Sequence, residues 1–178
     1  FRLLAPDLRG FGASDKPAGG GGPPAWGAAD HGRDMQALLD ALGIARCGVV
    51  GHDVGGAVIL DLARRDPARW SGLFLFDFTH PGIGARIAAP GRLQEIWYQA
   101  FHQVAIAPAL VGASRDTCRA YLAHFLRHWS HVKTAFDDVL EDWVDNFLAP
   151  GNLEGGFAWY RAAQAARLAM MKGEAPRP

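Results

Sequence analysis

Apolar and polar positions follow two rhythms along this chain. In the N-terminal part, short unbroken apolar runs alternate with stretches of helical spacing. Phe1-Arg2-Leu3-Leu4-Ala5 reads as a strand closed by Pro6. Met35, Leu38, Leu39 and Leu42 then recur at helical spacing, which predicts a helix capped by Asp30 and stopped by Gly43. Cys47-Gly48-Val49-Val50 is wholly apolar, as in a parallel strand covered on both faces. Ala57 to Arg65 returns to helical spacing and is closed off by Pro67 and Trp70. Leu73-Phe74-Leu75-Phe76 is a third apolar run, ending at Asp77. Strand, helix, strand, helix, strand requires crossover connections and parallel pairing, so the predicted class is α/β.

After His80-Pro81-Gly82 the strand rhythm stops, and from Arg92 to Met171 every stripe is helical. Leu93, Ile96 and Trp97 lead one helix. Cys118, Tyr121, Leu122, Phe125 and Leu126 mark a second, begun at Ser114. Phe136, Val139, Leu140, Trp143, Val144 and Phe147 mark a third, ended by Pro150-Gly151-Asn152, and Phe157, Tyr160, Arg161, Gln164 and Leu168 a last one. The expected organisation is a partial α/β core over 1–80, an all-helical cap insertion over 81–172 and the start of a linker over 173–178. Gly19 to Gly22 with Pro23-Pro24 reads as a surface loop. The chain opens at Phe1 inside a strand pattern and closes on Ala175-Pro176-Arg177-Pro178, so it reads as a section of a longer protein, incomplete at both ends.

Composition removes several classes of function. The 178 residues carry 18 basic and 18 acidic side chains, with no basic stripe to neutralise a phosphate backbone, so nucleic acid is not an expected partner. No apolar run approaches the ~18 residues of a membrane span. The two cysteines, Cys47 and Cys118, lie far apart in apolar settings and read as buried reduced thiols, which fits a cytoplasmic location.

The chemistry concentrates at Gly51-His52-Asp53-Val54-Gly55-Gly56, between an apolar strand and a helix. Small residues two places either side of a central polar residue permit a very sharp turn that thrusts the central side chain outward. This is the pattern of a nucleophile elbow, with Asp in the usual place of Ser. The helix behind it aims N–H groups and a positive dipole end at that position, and the Val54 N–H is a candidate oxyanion-hole donor. A carboxylate is ionised at neutral pH without help from a base. It can displace a leaving group from a saturated carbon and form an alkyl ester, which water then cleaves. Asp53 therefore points to epoxides or alkyl halides. The competing reading is that Asp53 only caps the following helix. His52 has a structural role in this reading, because adjacent residues at a sharp bend point apart.

These segments resemble the α/β-hydrolase superfamily and, within it, soluble bacterial epoxide hydrolases. Asp7-Leu8-Arg9-Gly10-Phe11-Gly12-Ala13-Ser14 resembles a turn shared across the superfamily, and Gly51 to Gly56 the elbow of its aspartate-nucleophile branch. Trp97-Tyr98-Gln99-Ala100-Phe101-His102-Gln103 and Asn152-Leu153-Glu154-Gly155-Gly156-Phe157-Ala158-Trp159-Tyr160-Arg161 resemble the two segments that carry the family's cap tyrosines. The resemblance covers nearly all of the chain. It implies an α/β-hydrolase fold with a helical cap and a hydrolase that opens epoxides to vicinal diols through an aspartyl ester, with no cofactor or metal. It also implies that Tyr98 and Tyr160 protonate the opening oxygen. Packing against Trp97 and Trp159 is the alternative for both tyrosines, and Tyr121 reads as packing alone. Cap aromatics favour a small apolar epoxide.

A haloalkane or haloacid dehalogenase using the same aspartate is the second reading. Val54 stands where those enzymes place a halide-binding Trp or an Arg, although Trp97, Trp143 or Trp159 could bind halide from the cap. A third reading is an inert fragment or a non-catalytic binding relative. Asp77 is a candidate orienting acid, with loop capping as its alternative. The family's catalytic histidine and its usual acid are expected on strands after the cap. None of the seven histidines sits where the resemblance would put that base; His80, after the third strand, is the nearest candidate, and His102, His124, His128 and His131 read as surface or packing residues. Oligomeric state is not legible.

Overall fold

The structure, a computed structural model, describes residues 1–18, 23–78, 91 and 94–171. The loop expected at Gly19 to Gly22, the boundary expected at 80/81, His80, Leu93 and the linker expected over 173–178 lie outside the described residues, as does the side chain of Leu168.

Contacts divide the chain into two compact units. One comprises the described parts of Trp26–Tyr98 and Ala162–Pro178. Within it the order is helix α1 (Ala28–Ala41), strand β1 (Cys47–His52), helix α2 (Val54–Arg65), a 3-10 turn at Pro67–Arg69 and strand β2 (Trp70–Phe76). The strands are parallel, with Val49 opposite Leu73 and His52 opposite Phe76, and α2 is the crossover between them. This is the α/β arrangement that the apolar runs demand.

Each element begins and ends for a local reason. Gly27, not Asp30, is the N-cap of α1, and Asp30 sits at the third helical position, where its carboxylate accepts the Gly27 N–H at 2.9 Å. Asp30 thus supplies the far half of a capping box, a role that sequence position alone does not separate from the cap itself. Gly43 follows α1 at φ +66°, the left-handed conformation that closes helices. Helix α2 turns Val58, Ile59 and Leu62 inward, and the buried Trp70 donates its indole N–H to the Leu62 carbonyl at 3.0 Å.

Two strand expectations change. Residues 1–8 form no strand and Phe1, Leu3 and Leu4 are exposed, because no described segment pairs with them; a strand exists only where a neighbour accepts its backbone hydrogen bonds. The apolar runs of β1 and β2 are not covered on both faces either. Val50 is 71% exposed and Phe74 61% exposed, on a sheet of two described strands.

The other unit comprises Phe1–Ala25 and Gln99–Arg161 and holds most of the helical region. Short helices α3 (Trp97–Phe101), whose first two residues belong to the first unit, and α4 (Ala107–Val111) precede the longer α5 (Arg115–Trp129), α6 (Leu140–Leu148) and α7 (Asn152–Met171), whose residues from Ala162 on also belong to the first unit. Ser114 caps α5 as its position predicts, accepting the Thr117 N–H at 3.1 Å. The apolar stripe starting at Phe136 becomes helical only from Leu140, after a series of turns. The core of this unit gathers Ala107, Val111, Cys118, Leu122, Leu140, Val144 and Phe157. Arg115 and Arg119 pair with Glu141 across the exposed face of α5 and α6, an arrangement that orients the helices more than it stabilises them. Cys118 is buried as expected and Cys47 only half-buried; both are free thiols.

Candidate active site

The elbow is built from backbone constraints. Asp53 joins β1 to α2 with φ +48° and ψ −117°, a conformation that a residue bearing a Cβ rarely adopts. It is held there from both sides. Its N–H reaches the Phe76 carbonyl at 3.4 Å, and its own carbonyl accepts the Gly56 N–H at 2.9 Å. Gly51 is obligatory: a Cβ there would lie 2.5 Å from Ile59 Cδ1 and 2.7 Å from the Gly55 carbonyl oxygen. At Gly55 no described atom lies within 4 Å of the corresponding position, so the glycines flanking Asp53 differ in why they are small.

Asp53 occupies the N-cap position of α2, yet among the described residues its carboxylate makes no capping hydrogen bond. The capping explanation for this aspartate therefore fails on geometry. Val54 opens α2, where the first backbone N–H groups have no acceptor within the helix. Asp53 and the Val54 N–H thus share one helix end with a positive dipole.

The charges around Asp53 act in opposite directions. Asp53 is exposed, yet protein packed beneath its carboxyl displaces enough water to push its pKa above the usual carboxylate value. His52 pulls it back down and Asp77 pushes it up further. Asp77 ends β2 at φ +49°, a second residue in the left-handed region at the same end of the sheet. His52 Nε2 lies 3.4 Å from Asp77 Oδ2, and the His52 ring stacks on Phe76 at 4.8 Å. His52 does have the packing role its position predicts. Its proximity to Asp77 and its influence on Asp53 were not legible, because both depend on β1 and β2 ending side by side.

Of the residues singled out in the sequence, Asp53, Val54, Asp77 and His52 come together at the ends of β1 and β2. Tyr98 stands half-buried on α3, in the same compact unit as Asp53. Tyr160 belongs to the other unit, half-buried on α7, with its ring 4.5 Å from that of His102 at an interplanar angle of 63°. Of the surface and packing roles open to His102, the structure gives it the packing one: the ring is buried. It stacks on Phe157 at 4.0 Å, and its Nε2 lies 2.6 Å from the Tyr121 hydroxyl. Burial, and secondarily the charge of Arg161, lowers the His102 pKa to about 4. Tyr121 packs as expected against Phe101 and Phe125 but is also a hydrogen-bonding partner. The sequence hint was the setting of His102 between Phe101 and Val104; its partner, 19 residues away, is beyond any local pattern.

Among the described residues no cluster of three or more His, Cys, Asp or Glu side chains could hold a metal ion, and no helix is long and apolar enough to cross a membrane.

Known proteins resemble this chain in sequence and in fold. The "Soluble epoxide hydrolase" of Corynebacterium sp. (strain C12) is 30% identical over 166 residues, covering 90% of this chain and 55% of that protein. The mouse protein named "Epoxide hydrolase 4" is 28% identical over 168 residues, covering 90% of this chain and 45% of that protein. The chain thus spans about half the length of the curated relatives it matches. The crystal structure of Cfl2 wild-type from Burkholderia cenocepacia superposes with a TM-score of 0.76 at 31% identity, over 93% of this chain and 55% of that one. Residues 1–153 match the profile of the alpha/beta hydrolase fold. With a helix-linked parallel strand pair and a sharp turn carrying Asp53 between strand and helix, the chain belongs to the alpha/beta hydrolase fold family.

Proposed function

We propose that the complete protein is an enzyme that opens epoxides to vicinal diols through an ester on Asp53. The observation that carries this reading is the Asp53 elbow, a carboxylate at φ +48° at the head of α2 that makes no capping bond among the described residues. The similarity to proteins named as epoxide hydrolases supports it.

The steps balance as follows. An Asp53 carboxylate oxygen attacks one epoxide carbon. The ring C–O bond breaks, and its electron pair goes to the departing oxygen. Tyr98 and Tyr160 hydrogen-bond that oxygen, and one of them gives it a proton, which suits groups with reference pKa values of about 10. A base takes one proton from water as the water oxygen adds to the aspartyl carbonyl, and the Val54 N–H stabilises the tetrahedral oxyanion. Collapse breaks the ester C–O bond, the base passes its proton to the departing diol oxygen, and the remaining proton returns to the tyrosine phenolate, which restores the Asp53 carboxylate and the phenol. Asp77 is assigned as the acid that orients the water-activating base. The substrate class is a small apolar epoxide.

A single turnover of the complete protein in heavy-oxygen water tests the ester. The diol from this first turnover should carry no heavy oxygen, because its new oxygen comes from Asp53, and the Asp53 peptide should gain one. A labelled diol with an unlabelled peptide means direct water attack and rejects the ester.

The electrostatics give a second expectation. Below neutrality the acid limb of ester formation, the step that does not use the base oriented by Asp77, follows ionisation of Asp53. Asp77→Asn removes the charge that raises the Asp53 pKa, so the limb should move to lower pH; His52→Gln removes the opposing influence, so it should move higher. Matched shifts in one direction would contradict this arrangement.

A further inference from the structure

Deepening the epoxide-hydrolase reading and resting on it, we propose that His102 is a positioning residue that fixes the ring of Tyr160, with Tyr121 as its anchor.

The three side chains come from three helical segments of one compact unit. His102 follows α3, Tyr121 lies on α5 and Tyr160 on α7. The imidazole is 7% exposed and is clamped between two rings of α7, face to face with Phe157 at 4.0 Å and edge-on to Tyr160 at 4.5 Å. Phe157 and Tyr160 are three residues apart on α7, so they share a helix face and His102 grips both at once. A ring held only by aromatic contacts can slide and rotate. His102 is also tied by its Nε2, 2.6 Å from the Tyr121 hydroxyl, and Tyr121 is wedged against Phe101 and Phe125.

A phenylalanine would fill the same space without burying a polar ring. An imidazole there is advantageous where direction matters, because a hydrogen bond sets ring orientation and aromatic packing alone does not. The neighbourhood keeps that imidazole neutral. Arg161 lies close enough for its charge to disfavour the protonated ring, and its guanidinium is fixed by the carbonyls of Pro24 at 2.7 Å and Glu154 at 3.0 Å. A neutral imidazole has one N–H donor and one acceptor nitrogen, so its bond with a hydroxyl also selects a tautomer. The chain Tyr121, His102, Tyr160 therefore passes orientation from the core to the phenol proposed to protonate the opening oxygen.

The test uses the complete protein and an aromatic epoxide, with ester formation and ester hydrolysis timed separately in rapid-mixing experiments. Proton donation to the ring oxygen belongs to ester formation alone. His102→Phe and Tyr121→Phe should each slow ester formation about tenfold, the loss of a misaimed donor, with ester hydrolysis unchanged. Their double variant should be no slower than either single one, because both cut the same link. Tyr121→Phe keeps the ring and removes only the hydroxyl, so it answers the question should His102→Phe fold poorly. Ester formation at the wild-type rate in folded Tyr121→Phe overturns the proposal, as does equal slowing of both steps.

A readout independent of turnover separates this idea from the activity on which it rests. In protein labelled with fluorotyrosine, the fluorine resonance missing from Tyr160→Phe belongs to Tyr160. It should shift or split in both His102→Phe and Tyr121→Phe. If the protein forms no ester with epoxides, the epoxide reading falls and this resonance alone decides: a change in Tyr121→Phe upholds the mechanical link, and an unchanged resonance removes it.

Discussion

Asp53→Asn in the complete protein should lower epoxide turnover by at least ~10³-fold and, at neutral pH, raise the melting temperature. The first effect follows from chemistry. An amide oxygen is a poor nucleophile toward a saturated carbon, and no other group on the elbow is proposed to take its place. The second follows from the site's electrostatics. Asp53, although exposed, has a folded-state pKa above its ordinary 3.8, chiefly because the protein beneath its carboxyl displaces water, so the fold favours its protonated form. Its contribution to stability is therefore fully present below pH 3.8 and is lost as pH rises through the folded value. At neutral pH the ionised carboxylate is a net liability, which Asn removes while keeping the shape and tolerating a positive φ. The gain in melting temperature should shrink as pH falls and vanish below 3.8. A variant with wild-type turnover ends the nucleophile assignment. One that is inactive but no more stable at neutral pH shows instead that the elbow imposes no cost on the charge.

Much of this was legible in the chain because it is local. The sharp turn at Asp53 needs a glycine where the backbone folds onto itself, and Gly51 announces that need in the sequence. Apolar runs broken by helical spacing require crossover connections, so parallel pairing of β1 and β2 follows without coordinates. Ser114 caps α5 because a hydroxyl three residues ahead of an N–H can do little else at a helix start. Legibility ends where a feature needs a distant partner. Phe1-Arg2-Leu3-Leu4-Ala5 has a strand's composition, but composition cannot supply the neighbouring backbone. Tyr121 looks like an ordinary stripe residue and His102 like a surface or packing residue, and only the fold that brings the turn after α3 beside α5 turns them into a hydrogen-bonded pair. The proximity of His52 to Asp77 likewise depends on strand register. The residues around the proposed reacting groups are therefore the least visible part of the sequence, although Asp53 itself is its clearest signal.

Neighbouring glycines on α7 should respond oppositely to the same substitution. Gly155 and Gly156 both lie inside the helix, where alanine is favoured over glycine by ~1 kcal/mol. At Gly156 an added Cβ would meet Phe147 Cε1 at 3.6 Å and Phe11 Cε1 at 3.8 Å, ordinary contacts that add packing. Gly156→Ala should therefore stabilise the protein by up to about 1 kcal/mol. At Gly155 the same atom would overlap the backbone of Gly10, carbonyl oxygen included. That carbonyl has little room to retreat. Gly10 sits at φ +88° with its N–H bonded to the Asp15 carbonyl at 2.9 Å. The turn around it is tied by the Ala13 N–H to Asp7 Oδ2 at 2.9 Å, the Ser14 hydroxyl to the Asp7 carbonyl at 2.7 Å, and Lys16 to the Gly12 carbonyl at 2.8 Å. Forcing a methyl group into such a contact typically costs roughly 1–3 kcal/mol, more than the helix-propensity gain. Gly155→Ala should be net destabilising, with α7 pushed off the turn and Tyr160, five residues on, displaced with it. Melting curves of the two variants decide the matter: equal gains in stability would mean that the turn yields freely and that α7 is not seated on it.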